Sequence, residues 1–123
     1  MGKYENFGDF IAEKRQGGKI TMRKMAELLG CSAPFLSDVE KGRRNPFDME
    51  RMQKFASILS LSEEDKNEMY DLAGKERDSI APDLPDYIKE RDYVTCALRT
   101  ARDMEAGRQE WMQFVEELKR RKR

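Results

Sequence analysis

Five consecutive residues, Lys41-Gly42-Arg43-Arg44-Asn45, place three cations and an amide directly after an amphipathic segment. Cations at that spacing suit contact with successive phosphates of a polyanion, which positions a protein without reading sequence. The surroundings favour the same chemistry. From Lys19 to Pro46 the basic residues Lys19, Arg23, Lys24, Lys41, Arg43 and Arg44 face only Glu27, Asp38 and Glu40, a local net of +3. From Asp48 to Asp71 the balance reverses to −4, so a chain of formal net charge 0 can still carry one basic face.

Other chemistry is thinly represented. Histidine is absent, which removes imidazole acid–base catalysis. Cys31 and Cys96 stand far apart without a Cys-x-x-Cys companion, so the common zinc spacings are missing. Both fall at apolar positions of helical patterns and are expected to be buried, reduced thiols. The many carboxylates form no constellation with a nucleophile or ligand set. We therefore expect neither an enzyme nor a metal or cofactor. No apolar run approaches the roughly 18 to 20 residues that span a bilayer, and no signal-type N-terminus is present; a cytoplasmic protein without membrane contact is expected.

The elements that must position the basic stretch are helical throughout. Apolar residues recur at three–four spacing, and period-two alternation is missing, so the fold class is all-α. A first helix carries Phe7, Phe10 and Ile11 and stops at Gly17-Gly18. Thr21 can cap a second, bearing Met22, Met25, Ala26, Leu28 and Leu29 and ended by Gly30. Ser32 caps a third, whose Pro34 is tolerated in the first turn and whose Leu36 and Val39 point inward. Asp48 begins a fourth, with Met52, Phe55, Ala56 and Leu59 inward. Ser62 begins a fifth, with Met69, Leu72 and Ala73 inward and Gly74 as its stop.

These five helices form an expected domain at residues 1–74. Residues 75–86, with Pro82 and Pro85, read as a connector. Residues 87–123 hold two more amphipathic helices. One has Val94, Ala97, Leu98, Ala101 and Met104 on a stripe; the other has Trp111, Phe114, Val115 and Leu118. Short helices of this kind are not stable alone, so Val94, Leu98, Trp111, Phe114 and Leu118 serve either a dimer or partner contact or packing within the chain. The basic end from Lys119 to Arg123 complements the helix dipole.

The segment from Ile20 to Pro46 resembles the lambda-repressor and Cro-like (Xre-type) helix-turn-helix family. That family's pattern runs Leu-Thr-Gln-x-x-Leu-Ala, then Gly-Val-Ser, then Ile-Ser-x-Ile-Glu-x-Gly-x-x-x-Pro. Ile20-Thr21 match its opening, Met25-Ala26 the Leu-Ala pair, Gly30-Cys31-Ser32 the turn, Leu36-Ser37 and Val39-Glu40 the recognition helix, and Gly42 and Pro46 the exit. The resemblance covers roughly Tyr4 to Gly74. It implies a five-helix lambda-repressor-like DNA-binding domain with a two-helix extension. It also implies a transcriptional regulator, chiefly a repressor, that binds double-stranded DNA at a palindromic operator as a homodimer. An antitoxin whose C-terminal helices hold a partner toxin is the alternative.

By the same resemblance, Arg15 pairs with Glu40 as a structural ion pair. The DNA-facing set would be Thr21, Met22 and Arg23 at the start of the second helix. From the third helix come Ala33, Pro34, Phe35, Ser37, Asp38 and Lys41, with Arg43, Arg44 and Asn45 beyond it. Met22 stands where the family has glutamine, and the helix face lacks the bidentate readers Arg, Asn and Gln. Specificity is then expected to lean on thymine-methyl contacts, DNA shape and dimer spacing.

Overall fold

A computed structural model describes residues 4–121; Lys122 and Arg123, the end of the basic tail, lie outside them. Among the described residues every regular element is a helix: α1 (Phe7–Gly17), α2 (Met22–Leu29), α3 (Ala33–Glu40), α4 (Met49–Leu59), α5 (Glu63–Glu76), α6 (Pro85–Lys89), α7 (Asp92–Asp103) and α8 (Arg108–Arg121). The chain separates into two compact units, one up to Pro85 and one from Asp86.

In the first unit, local chemistry sets where each helix begins. The side chains of Asn6, Thr21, Ser32, Asp48 and Ser62 each accept a hydrogen bond from the backbone N–H three residues on, at 2.8–3.1 Å. Each bond satisfies one of the amides that a helix start leaves without an internal partner. Gly30 closes α2 in the left-handed region at φ +73°, where a side chain would be strained, and this makes the turn into α3 tight.

Burial does the rest. α1 packs on α3 and α5, and α2 packs on α3 and α4. Their shared core contains Phe10, Ile11, Met25, Leu29, Leu36, Val39, Met52, Phe55 and Met69. Each such side chain contributes roughly 1.5–3 kcal/mol of transfer free energy. The expected inward face of α2 narrows to Met25, Ala26 and Leu29, while Met22 is half-buried and Leu28 exposed.

Several packing features are not written in the local pattern. Phe47, just beyond the basic stretch, is wholly buried and meets Phe7 edge-on at 5.5 Å. Gly8 lies where α1 crosses the end of α3; a Cβ there would collide with the carbonyls of Val39 and Glu40. Gly74 does not stop α5, which continues to Glu76. A Cβ on it would sit 2.7 Å from the Ile80 carbonyl, so the glycine serves a close crossing by the returning chain. The two extra residues carry Glu76, whose Oε2 accepts from the Phe7 N–H at 2.6 Å and tethers the start of α1.

In the second unit, α6, α7 and α8 contain no buried residue. Trp111 and Phe114 meet edge-on at 6.4 Å, and the Gly107 N–H donates to Glu110 Oε1 at 2.9 Å to start α8. Tyr93, Leu98, Met104, Trp111, Met112, Phe114 and Leu118 are all exposed, whereas Val94 and Val115 are half-buried. Cys96 is exposed as well, contrary to expectation, because no residue of α7 is fully buried. Cys31 is only half-buried, packed against the core of the first unit.

Candidate nucleic-acid interface

Leu36 and Val39 anchor α3 in the core and turn the opposite side of the helix outward. On that side Pro34 is exposed, and Ala33, Ser37 and Asp38 are half-buried. Thr21 and Arg23 are exposed at the start of α2, but Met22 leans into the core. Phe35 also packs partly against the core, and its ring is flanked by the guanidinium carbons of Arg44 at 4.8 Å and Arg51 at 5.5 Å. The face of the Phe35 ring is therefore committed to cation–π contact, which leaves its edge open.

The chain leaving α3 curls back on itself. The Lys41 N–H donates to Ser37 O at 3.0 Å, and Gly42 takes φ +77°. The Arg43 N–H then reaches Asp38 O at 2.8 Å. This curl brings both arginines to the Asp38 carboxylate, with Arg43 Nη1 at 3.8 Å and Arg44 Nε at 3.7 Å. Lys41, Arg43, Arg44 and Asn45 are all exposed.

Beneath the surface, Arg15 and Glu40 are brought together in a two-pronged pair. Nε lies 2.7 Å from Oε2 and Nη2 lies 3.2 Å from Oε1, while Nη1 donates to the Ile20 carbonyl at 2.9 Å. The two side chains are 9% and 7% exposed. One guanidinium thus ties the entry of α2 to the end of α3, and its planar fork satisfies both carboxylate oxygens at once.

Two further arginines complete the support, and local spacing singled out neither. Arg51 donates to the carbonyls of Leu29 and Gly30 at 3.2 Å each, holding the end of α2 and the turn from across α4. Its position held a clue: a cation in the first turn of a helix faces the positive end of the dipole, so it is better used elsewhere. Arg77 donates to Pro46 O at 2.6 Å and Phe47 O at 2.7 Å, fixing the far end of the basic stretch. Burial pushes the Cys31 thiol above its ordinary value against the opposing charge of Arg51. A thiol in that state is a poor nucleophile. Among the described residues no cluster of His, Cys, Asp or Glu could hold a metal ion, and no helix is long and apolar enough to cross a membrane.

The arrangement is a helix, a tight turn and a second helix displayed with a cationic exit. The family model described as "Helix-turn-helix domain" matches residues 6–69, more than half of the chain. The chain belongs to the helix-turn-helix domain family. The match runs from α1 into α5, so the packing around the helix-turn-helix is part of the shared unit.

Among curated proteins, the chain is 39% identical over 57 residues to an uncharacterized HTH-type transcriptional regulator of Mycobacterium tuberculosis, covering 46% of this chain and 40% of that one. It is 27% identical over 125 residues to the HTH-type transcriptional regulator DdrOP3 of Deinococcus deserti, covering 89% and 93%. The chain thus spans about two fifths of the length of the M. tuberculosis relative it matches. Among solved structures, it is similar to the SinR protein/SinI protein complex, with a TM-score of 0.46, 16% identity, and coverage of 94% and 97%.

Proposed function

We propose that this chain is a sequence-specific DNA-binding transcriptional regulator, a repressor that occupies a palindromic operator as a homodimer in the cytoplasm. The observation that carries the reading is the helix-turn-helix itself. α3 is held rigidly by Arg15–Glu40, its outer side is open, and an exposed cationic stretch follows directly. A helix so displayed fits the major groove, and on this reading Arg43, Arg44, Lys41, Asn45, Arg23 and Thr21 would meet phosphates or base edges. Ser37 and Asp38 are the polar readers on α3, and Ala33, Pro34 and the open edge of Phe35 offer methyl contacts.

Dimerisation draws on the second unit. Leu98, Trp111, Phe114 and Leu118 are exposed, and with Val94 they offer an apolar surface that a second copy of the chain would cover. Such a dimer would set recognition helices about one DNA turn, roughly 34 Å, apart.

The test is selection from a random duplex pool with the purified chain, followed by salt titration and sedimentation. Two inverted half-sites, a steep fall in affinity with salt and a dimer mass are expected; an operator-driven reporter should be silenced by the chain. Binding without sequence preference at any salt would remove the regulator reading. A monomer that forms a stoichiometric complex with a toxin, which its α7–α8 surface neutralises, would move the reading to an antitoxin.

A further inference from the structure

We infer that Asp38 is a specificity-determining residue, acting as an internal counter-ion that holds Arg43 and Arg44 away from DNA phosphates until a correct site is met. The inference rests on the DNA-binding reading above. Both arginines point at one carboxylate, at 3.8 and 3.7 Å, although each is more than half exposed and has solvent on its other side. The backbone enforces the meeting, since the Arg43 N–H to Asp38 O bond folds the exit stretch onto α3. Phe35 adds a second hold on Arg44 by lying under its guanidinium.

The carboxylate stands on the outward side of α3, the side that would approach the groove. A phosphate arriving at Arg43 or Arg44 must therefore compete with a carboxylate already in place. On an arbitrary duplex this exchange gains little, because one anion replaces another and Asp38 is left bare beside the DNA. At a correct site the contacts of the rest of α3 hold the complex together and the arginines are released to the backbone. The residue thus lowers non-specific affinity more than specific affinity, and the ratio between them is what sets selectivity among many competing sites.

The experiment compares the wild-type chain, Asp38→Asn, Arg43→Ala/Arg44→Ala and the triple combination. Each is measured on a random-sequence duplex and on a selected duplex over a range of salt. Asp38→Asn keeps the size and shape of the side chain at a half-exposed position, so the fold is retained. Its affinity for the random duplex should rise roughly three- to twenty-fold, the population held by two exposed ion pairs. Its salt slope should steepen by about 0.9 per phosphate gained, and its selected-to-random ratio should fall. The gain should vanish in the triple variant.

Unchanged random-duplex affinity in Asp38→Asn would overturn the inference while leaving the DNA-binding reading intact. A gain that persists without the two arginines would also overturn it, since Asp38 would then act by plain repulsion. A wild-type chain that binds no duplex even at low salt would remove the DNA-binding reading itself, and the inference with it.

Discussion

Replacing Arg15 with alanine would leave the Glu40 carboxylate enclosed without its cation and the Ile20 carbonyl without its donor. In the wild-type chain three hydrogen bonds of 2.7–3.2 Å converge on that guanidinium. Both side chains are under a tenth exposed, so water cannot replace the lost partner without opening the junction of α1, α2 and α3. Breaking one half of such a buried pair costs about 3–5 kcal/mol. A helical domain of this size has roughly 4–13 kcal/mol in total, so the loss would consume a large share. At about 4–8 °C per kcal/mol, the expected fall in melting temperature is roughly 12 °C or more.

The assay is thermal and urea unfolding followed by far-ultraviolet circular dichroism at neutral pH. A companion variant, Arg15→Met/Glu40→Leu, removes both charges and should recover much of the loss, because the desolvation cost disappears with the pair. A fall of under about 4 °C in Arg15→Ala, equivalent to about 1 kcal/mol, would refute the claim that the pair is enclosed and holds the helix-turn-helix together.

Two other expectations follow from the support around the turn and the start of the chain. Arg51→Met, which keeps the aliphatic stem but leaves the Leu29 and Gly30 carbonyls without a donor, should lower stability by about 1.5–3 kcal/mol. Its urea midpoint should fall, and amide exchange should quicken in the turn between α2 and α3. The Tyr4 hydroxyl is pushed up to about 12, first by its hydrogen bond to Glu13 and then by burial. Its neutral form is favoured in the folded chain, so this contribution is intact below pH 10 and is lost as pH rises from about 10 to 12. Ultraviolet titration should show late-ionising tyrosines, Tyr4 and also Tyr70, whose hydroxyl burial pushes up, and Tyr4→Phe should remove one of them and flatten the loss of stability in that window.

The reach of sequence reasoning here follows the range of the interactions. Thr21, Ser32, Asp48 and Ser62 could be read as helix starts because a cap acts within three residues. Gly30 and the apolar stripes were equally legible, since they follow the helical period. Gly74 misleads because a glycine that ends a helix and one that admits a crossing chain look the same in one dimension. The roles of Gly8, Phe47, Arg51, Glu76 and Arg77 depend on partners 20 to 70 residues away, beyond any local pattern. In the interface, the cations of the exit stretch were visible, but their shared attachment to Asp38 was not. It depends on the curl at Gly42, which only the folded backbone reveals. Cys96 reads as a core residue because an amphipathic stripe says that a face is apolar, not that anything covers it.

The five exposed residues from Lys41 to Asn45 hang between two fixed points. Glu40 is clamped by Arg15 on one side, and Pro46 and Phe47 are held by Arg77 on the other. A segment strung this way behaves as a short span between two piers. Its ends have already lost their freedom on folding, so little further chain entropy is lost when it is laid along a phosphate strand. On the proposed DNA-binding reading, contact with a polyanion would then resemble the seating of a preformed rail more than the capture of a loose arm, once Arg43 and Arg44 are released from Asp38. Mutations that free either pier should weaken binding by loosening the span, even where every cation on it is kept.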